Sequence, residues 1–220
     1  NACLFNLMMD AIVEETQGAV RRDAFGLITS RNDIQSLLQL DQYIDLVIPR
    51  GGNALVDFIK KNTKIPVMGH ADGVCHVYVD AEADTEKAVS IVVDSKVDYP
   101  SACNAAETVL LHSSTLENSV ADRIVKQLRM NGVIIFGCDV AQQQGLCENP
   151  VADFHHEYGD LKVSIKIVNN VDEAVAHINH FGSGHTESII TENASTAEVF
   201  LHGVDSACVL HNASTRFADG

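Results

Sequence analysis

The segment 98–108, DYPSACNAAET, contains the residue best suited to covalent chemistry, Cys103. Pro100 favours the first turn of a helix, because its missing N–H would be unpaired there in any case. We therefore predict a helix beginning near Cys103, whose N–H groups and dipole would favour a thiolate and hold a developing oxyanion. Cys103 is a candidate nucleophile and Asn104 beside it a candidate catalytic residue. The alternative is that Cys103 is a small buried side chain, as most free cysteines are.

Two glycine-bounded segments in the first third of the chain could also serve a site. In VIPRGGNA, residues 47–54, Arg50, Gly51 and Gly52 separate a predicted strand from a predicted helix, an arrangement that can present backbone N–H groups to an anion. In MGHADG, residues 68–73, His70 lies in a loop between two predicted strands. The alternatives are an ordinary strand-to-helix turn and a polar connecting loop.

Three polar segments in the second half complete the set of candidates. Glu157 lies in HHEYG and could bind a ribose hydroxyl, and Gly182 in FGSGHT could end a helix in the left-handed conformation. Arg216 in NASTRF could bind a carboxylate or a phosphate through two parallel hydrogen bonds. A surface turn is the alternative for each segment. The other polar candidates in the last two segments are Ser183, His185, Thr186, Ser214 and Thr215.

Composition excludes several classes of function. The 220 residues are 46% hydrophobic and 20% charged, with a formal net charge of −15, which argues against nucleic acid and against an anionic membrane surface. No apolar run approaches the roughly 20 residues that span a bilayer, and we find no secretory signal. The six cysteines have no CxxC spacing and no HExxH motif accompanies them, so we expect reduced thiols, an intracellular location and no metal site.

Apolar runs of strand type alternate with helical patterns along the chain, which predicts an α/β fold with a parallel sheet covered by helices. We place a domain boundary near residues 80–84, where polar residues replace apolar ones, which gives domains 1–80 and 81–220. Predicted strands cover residues 24–29, 44–48, 65–68, 74–79, 108–112, 133–136, 162–168, 188–191 and 207–210. Predicted helices cover residues 1–15, 32–40, 54–61, 85–97, 116–130, 171–180 and 196–202, and residues 137–150 are predicted to be a loop.

The motifs in their order along the chain, IPRGG, MGHADG, DYPSACNAAET, HEYGD, FGSGHT and VDSACVLHNASTRFADG, resemble glutamate-5-semialdehyde dehydrogenase, or γ-glutamyl phosphate reductase. This family belongs to the aldehyde dehydrogenase superfamily, and the sequences of these motifs are most similar to the reductase half of the eukaryotic Δ1-pyrroline-5-carboxylate synthases. The resemblance implies an aldehyde dehydrogenase-like fold, with part of a Rossmann-type cofactor domain in residues 1–80 and an α/β catalytic domain in residues 81–220.

The resemblance also implies a reaction and roles for the candidates. NADPH would reduce γ-glutamyl phosphate to glutamate-5-semialdehyde in proline biosynthesis, with Cys103 as the nucleophile that forms a thioester. His70 stands where hydrolytic relatives carry a water-activating glutamate, which suits a reductase that must keep its thioester from water; His70 could instead be a base or a phosphate ligand. The implied cofactor residues are Arg50, Gly51, Gly52 and Glu157. The implied substrate residues are Ser183, His185, Thr186, Ser214, Thr215 and Arg216.

Further expectations concern the whole protein. Relatives extend beyond both ends of this sequence, so we expect little or no activity from these 220 residues alone. We expect a homo-oligomer, an attached glutamate kinase domain, and a cytoplasmic location, with mitochondrion or plastid as alternatives. Two other functions remain open at this point: a cysteine-dependent acyl hydrolase, and a non-catalytic or regulatory domain that retains the fold.

Overall fold

A computed structural model describes residues 2–51, 53–69 and 73–218. The chain divides into two compact units, Asn1–Ala71 and Asp72–Gly220. The first unit contains three helices within its described residues: α1 (Ala2–Glu15), α2 (Arg31–Leu37) and α3 (Asn53–Asn62). A short 3₁₀ turn covers Arg22–Ala24.

The three strands predicted in the first unit are wrong. Among the described residues, the segment 24–29 has no paired neighbour, and the segments 44–48 and 65–68 meet only at one parallel bridge, between Val47 and Val67. An apolar, β-branched run becomes a strand only when another backbone accepts its hydrogen bonds. Within the described part of this unit, the local preference of these runs therefore produces extended backbone without a sheet.

The described part of the second unit forms a seven-stranded sheet in which every pairing is parallel, in the order β4-β3-β5-β2-β1-β6-β7. Parallel neighbours need a crossover connection, usually a helix, which explains the alternation in the sequence. The strands are β1 (Cys75–Val79), β2 (Ala106–His112), β3 (Ile134–Gly137), β4 (Asn149–Pro150), β5 (Lys162–Val168), β6 (Thr186–Ile190) and β7 (Cys208–His211). The helices are α4 (Thr85–Val97), α5 (Val120–Met130), α6 (Asp139–Gln143), α7 (Val171–Phe181) and α8 (Ala194–Gly203).

Two apolar clusters cover the two faces of this sheet, as expected for strands whose side chains alternate between faces. On one face, Val77 and Leu111 pack in a cluster with Val92 of α4 and Ile124 of α5. On the other, residues such as Tyr78 pack against α7 and α8; that cluster includes Leu110, Ile178, Ile189 and Phe200. The sheet is therefore a fixed frame, and the loops at its edges carry the polar candidates.

Most predicted elements of the second unit are confirmed, and α4 and β5 have the predicted bounds. The helix predicted from residue 116 begins at Val120, because Ser113–Leu116 forms a 3₁₀ turn. The loop predicted over residues 137–150 instead contains α6 and the short strand β4.

The helix predicted to begin near Cys103 is also wrong. The segment forms consecutive turns, in which the N–H of Ala102 donates to the carbonyl of Tyr99 and the N–H of Ala105 donates to that of Ala102, both at 3.0 Å. Strand β2 then begins at Ala106, which pairs with Cys75 of β1. Sheet pairing so soon after Cys103 leaves no length for a helix, so the helix-dipole argument does not apply to this thiol.

Candidate active site

The candidate segments of the second unit gather at the edge of the sheet where its strands begin. The Cys103 turn leads into β2, Gly73 and Val74 lead into β1, and residues 157–159 lie before β5. Residues 182–186 lead into β6. Because parallel strands all begin at the same edge, these segments are neighbours in space. Open α/β sheets usually bind ligands at the opposite, carboxyl edge.

Cys103 has an exposed side chain on a tightly held backbone. A Cβ placed on Gly73 would lie 2.3 Å from the Cys103 carbonyl oxygen and 2.6 Å from its Cα, so only glycine permits this approach. The Cys75 thiol donates to the same carbonyl oxygen at 3.3 Å. Burial, followed by the nearby charge of Glu187, raises the pKa of Cys75, which therefore remains a thiol and supports the turn.

Two backbone donors accompany the thiol. The N–H groups of Cys103 and Asn104 have no acceptor among the residues that the structure describes. Adjacent N–H groups beside a nucleophile can stabilise an oxyanion that forms on the attacked carbon. A cysteine-dependent hydrolase would also need a histidine beside the thiol, and no described histidine hydrogen-bonds the Cys103 side chain.

The Asn104 side chain is a structural partner of Arg216. Asn104 is buried; its Nδ2 donates to the Arg216 carbonyl at 3.4 Å, and its Oδ1 accepts from the Arg216 guanidinium. Arg216 Nε also donates to Asp98 Oδ2 at 3.2 Å, and its guanidinium lies over the Tyr99 ring. Arg216 thus fastens the end of the described chain to the cysteine turn. Its binding of an anionic substrate group stays a prediction.

Ser214 and Thr215 are buried against helix α4. The hydroxyls of Ser95 and Ser214 lie 3.1 Å apart, and the N–H of Thr215 donates to Ser95 Oγ at 3.2 Å. These contacts hold the segment after β7 beneath the sheet. Substrate contacts by Ser214 and Thr215 remain predictions.

The loop before β6 is tied to the start of β1. Ser183 Oγ accepts from the N–H of Val74 at 3.1 Å, and the N–H of Ser183 donates to the Val74 carbonyl at 3.3 Å. His185 Nδ1 lies 2.7 Å from the Thr186 hydroxyl, and Thr186 is fully buried. Ser183 therefore lies beside the segment that supports Cys103, while substrate binding by Ser183, His185 and Thr186 stays predicted.

Gly182 ends α7 without the left-handed conformation that we predicted. Its φ is −69° and its ψ 156°, whereas Gly184 has the positive φ, +70°. A Cβ on Gly182 would lie 2.6 Å from the Ile178 carbonyl oxygen and 2.9 Å from Glu187 Oε1. Close approach of backbone and carboxylate therefore explains this glycine.

A buried ion pair that the sequence did not reveal lies at the base of the cysteine turn. Lys96 Nζ lies 3.0 Å from Glu107 Oε2, and both side chains are at most 1% exposed. The other oxygen, Oε1, accepts from the N–H of Gly159 at 3.2 Å. Burial raises the pKa of Glu107 to about 7, although Lys96 opposes this change, and burial lowers the pKa of Lys96. The one sign of this pair in the sequence is Glu107, a single acidic residue in the otherwise uncharged strand AETVLLH.

A second buried polar cluster lies at the start of β1 and β6 and on α7. Glu187 Oε2 accepts from the His76 N–H at 2.6 Å and lies 3.1 Å from His76 Nδ1. His177 packs edge-on against His76, and its Nδ1 lies 3.0 Å from Lys166 Nζ. Burial, followed by the charges of His76 and Lys166, lowers the pKa of His177 to about 2. His177 is therefore neutral and accepts from the lysine.

The cofactor candidates lie in both units. Glu157 is half-buried in the loop before β5. In the first unit, Arg50 is exposed and Gly51 has a φ of +156°, which residues with a side chain rarely adopt, just ahead of α3. A helix start of this kind suits an anionic group. Gly52 and His70 lie outside the described residues.

Two further kinds of feature, a metal centre and a membrane-spanning helix, are absent from the described residues. No three His, Cys, Asp or Glu side chains there lie close enough together to hold a metal ion. None of the helices in the same ranges has the length and apolarity that crossing a membrane requires.

The parallel sheet and its covering helices have an aldehyde dehydrogenase-like fold. A propionaldehyde dehydrogenase from Clostridium phytofermentans superposes with a TM-score of 0.68 at 18% identity, over 98% of this chain and 58% of that one. The γ-glutamyl phosphate reductase of Thermotoga maritima superposes much better, with a TM-score of 0.93 at 38% identity, over 100% of this chain and 53% of that one. By sequence and fold, the chain is similar over its whole length to part of the γ-glutamyl phosphate reductases.

Curated relatives show the same similarity. Δ1-Pyrroline-5-carboxylate synthase 1 of Oryza sativa is 47% identical over 220 residues, which are 100% of this chain and 30% of the synthase. The γ-glutamyl phosphate reductase of a Picosynechococcus strain is 50% identical over 208 residues, or 92% of this chain and 47% of that protein. The chain therefore spans about half the length of the reductase and less than a third of the synthase. No family model matches the chain.

Proposed function

We propose that this chain supplies the nucleophile of a γ-glutamyl phosphate reductase, which reduces γ-glutamyl phosphate to glutamate-5-semialdehyde and releases phosphate in proline biosynthesis. The observation that carries the proposal is the exposed Cys103 thiol on a turn whose backbone is fixed by Gly73 and Cys75. A nucleophile must be accessible and held in one geometry, and this turn meets both requirements. The likeness to reductases over the whole chain supports the substrate class.

In the proposed reaction, the Cys103 thiolate attacks the acyl carbon of γ-glutamyl phosphate. The backbone N–H groups of Cys103 and Asn104 stabilise the negative charge on the acyl oxygen, and phosphate leaves with the electrons of the broken C–O bond. A thioester on Cys103 results. The bound nicotinamide cofactor supplies the hydride for reduction. When the C–S bond of the reduced adduct breaks, the thiolate of Cys103 is restored and the aldehyde departs.

We propose that the site also favours reduction of the thioester over its hydrolysis. Within the described residues, no histidine or carboxylate side chain hydrogen-bonds Cys103, so a base that would activate water beside the thioester is not part of this turn. We propose that His70, in place of the glutamate of hydrolytic relatives, completes this difference. The roles of His70 as a base or as a phosphate ligand are the alternatives.

We assign NADPH as the cofactor. Arg50 and Gly51 would hold its phosphates near the start of α3. Gly51 has a positive φ, a conformation that residues with a side chain rarely adopt. Gly52 belongs to the same proposed segment. Glu157 would hold the ribose of the nicotinamide. The substrate end of the site would be lined by Ser183, His185, Thr186 and residues 214–216. Of these, Arg216 contacts Asn104 through its guanidinium group.

The wider setting is proposed from the relatives. The chain matches a smaller share of the rice synthase than of the reductase, so the synthase has more sequence outside the matched region, which accommodates a glutamate kinase domain. We propose such a domain, a homo-oligomer and a cytoplasmic location. All six cysteines are unpaired, which suits a reducing compartment.

The proposal is tested with a longer protein that contains this chain as its reductase region. Cys103→Ala and Cys103→Ser should lower the rate of NADPH-dependent semialdehyde formation at least about a thousandfold, because the covalent route is lost. Cys3→Ala is the matched control, since Cys3 is the other exposed cysteine and lies in α1. Retention of most of the rate by Cys103→Ala would contradict the proposal.

A further inference from the structure

The Lys96–Glu107 ion pair closes the base of the cysteine turn. Lys96 lies in the last turn of α4, Glu107 is the second residue of β2, and the turn that carries Cys103 runs between them. Their side chains meet at 3.0 Å in the interior. This ion pair thus joins the two ends of the cysteine turn.

The same carboxylate reaches a second candidate segment. Glu107 Oε1 accepts from the N–H of Gly159, in the loop that carries Glu157. The neighbouring Tyr158 hydroxyl lies 2.9 Å from the Ser164 hydroxyl on β5, which fixes the far side of the loop. A single carboxyl group therefore connects the nucleophile turn with the loop proposed to hold the cofactor ribose.

Stability alone is a poor reason for such a pair. Removing two charges from water costs several kcal/mol for each ion, and apolar replacements of a buried pair are often neutral or stabilising. Breaking the pair by removing one partner is costly, because the other charge stays buried. The pair is therefore better explained by the geometry that it imposes on the two segments it joins.

We propose that Glu107, paired with Lys96, is a positioning residue that sets the spacing between the Cys103 thiol and the Glu157 loop. The inference rests on the proposed function, in which Cys103 carries the acyl group and Glu157 holds the ribose. Loss of the carboxylate would free the N–H of Gly159 and let the loop move away from β2. Cofactor binding would weaken while the thiol remained accessible.

The decisive variant is the double substitution Lys96→Met with Glu107→Leu, which removes both charges without leaving one unpaired and leaves the N–H of Gly159 without its side-chain acceptor. We expect it to keep a cooperative unfolding transition and the alkylation rate of Cys103. Its Kd for NADPH, measured by fluorescence titration, and its KM for NADPH should rise roughly five- to tenfold, the loss expected for one buried hydrogen bond. Its KM for γ-glutamyl phosphate should change less.

Two further variants make the result interpretable. Lys87→Met with Glu192→Gln removes an ion pair of 2.7 Å at the half-exposed surface of the same unit and should leave Kd and KM unchanged. Glu107→Asp keeps the charge beside Lys96 but shortens the reach to Gly159, so it should raise both constants as the double variant does. Glu107→Asp therefore tests the positioning role if the double variant does not fold.

A folded double variant, or a folded Glu107→Asp variant, that binds NADPH as the unsubstituted protein does would overturn the positioning role. Cys103-dependent reduction would still stand in that case. An unsubstituted protein that neither reduces γ-glutamyl phosphate nor binds NADPH would overturn the proposed function together with this inference.

Discussion

Gly73 and Cys75 determine where Cys103 lies, because one has no side chain and the other is buried beneath the turn. The sequence alone predicts Cys103 as the nucleophile, since a cysteine in a recognisable motif is visible without a structure. It could not identify Lys96 and Glu107 as partners, because they come together only when α4 packs on β2. The sequence also singles out Arg216 as a cation near the end of the chain. It could not predict the hydrogen bonds from Arg216 to Asp98 and Asn104, because they depend on the path of the chain after β7.

Gly73→Ala should displace the cysteine turn. The added methyl group would meet backbone atoms of Cys103 at 2.3–2.8 Å, and backbone cannot move aside as a flexible side chain does. We expect a loss of about 1–3 kcal/mol in the free energy of unfolding, the usual cost of overpacking, and a changed alkylation rate at Cys103. Urea unfolding and thiol labelling measure the two effects.

Gly26→Ala is the control for that substitution, because a Cβ there meets no atom within 4 Å and its φ is not positive. An unfolding free energy for Gly73→Ala as high as that of Gly26→Ala would show that the close approach to Cys103 does not exist.

Alkylation at neutral pH should separate the six cysteines by exposure. Cys75 and Cys147 are buried and should react only after unfolding, whereas Cys3 and Cys103 are exposed and should react in the native protein. If Cys103 is the nucleophile, it should react fastest of all, and peptide mass spectrometry over time measures each rate. Equal rates at Cys3 and Cys103 would favour an inert thiol.

Elements were predicted well wherever a local pattern and a sheet partner agreed. Helix α4 has its predicted bounds because the Asp84 side chain caps its start by accepting a hydrogen bond from the backbone N–H of Lys87. Strand β5 has its predicted bounds because it pairs with a strand on each side. The helix predicted at Cys103 failed because pairing between Ala106 and Cys75 outweighs the local preference set by Pro100. The two residues of β4 are too few for any periodic signal.

Helix α7 carries a pH-sensitive residue, His177. Its pKa is lowered from 6.5 to about 2 by burial, so the folded unit excludes a proton that the unfolded chain binds. The stabilising contribution is fully present above pH 6.5 and is lost as the pH falls toward 2. Between pH 6.5 and 4.5 the loss should be about 2.5 kcal/mol.

His177→Phe should remove this part of the acid dependence, because phenylalanine has no proton to bind. Urea unfolding at several pH values between 4.5 and 7.5 measures the slope. His180→Phe, an exposed position on the same helix, should leave the slope unchanged. A slope for His177→Phe that equals that of the unsubstituted protein would show that the buried histidine does not control acid stability.

At the scale of the whole molecule, the alternating pattern predicted the α/β class and the parallel sheet. The strand order β4-β3-β5-β2-β1-β6-β7 could not be predicted, because it depends on which neighbours each crossover reaches. The two units also differ in their apolar interiors. Buried apolar residues are few in the described part of the first unit, while the central strands of the second are almost completely buried.

Hydrogen exchange should reflect this difference. Amides of β1, β2 and β5 lie in paired, buried strands and should exchange slowest, whereas the described part of the first unit has one isolated bridge and several exposed apolar side chains. Peptides from residues 2–51 should therefore take up deuterium much faster by mass spectrometry. Equal protection in those peptides would contradict the account of the two units.

The central claim, that Cys103 carries the acyl group, is tested most directly by rapid quenching. A longer protein that contains this chain is mixed with γ-glutamyl phosphate without NADPH, quenched in acid, digested and weighed by mass spectrometry. We expect a γ-glutamyl thioester on the peptide that contains Cys103, lost on addition of NADPH and absent from Cys103→Ala. Acylation at another residue, or turnover with no acyl group on Cys103, would contradict it.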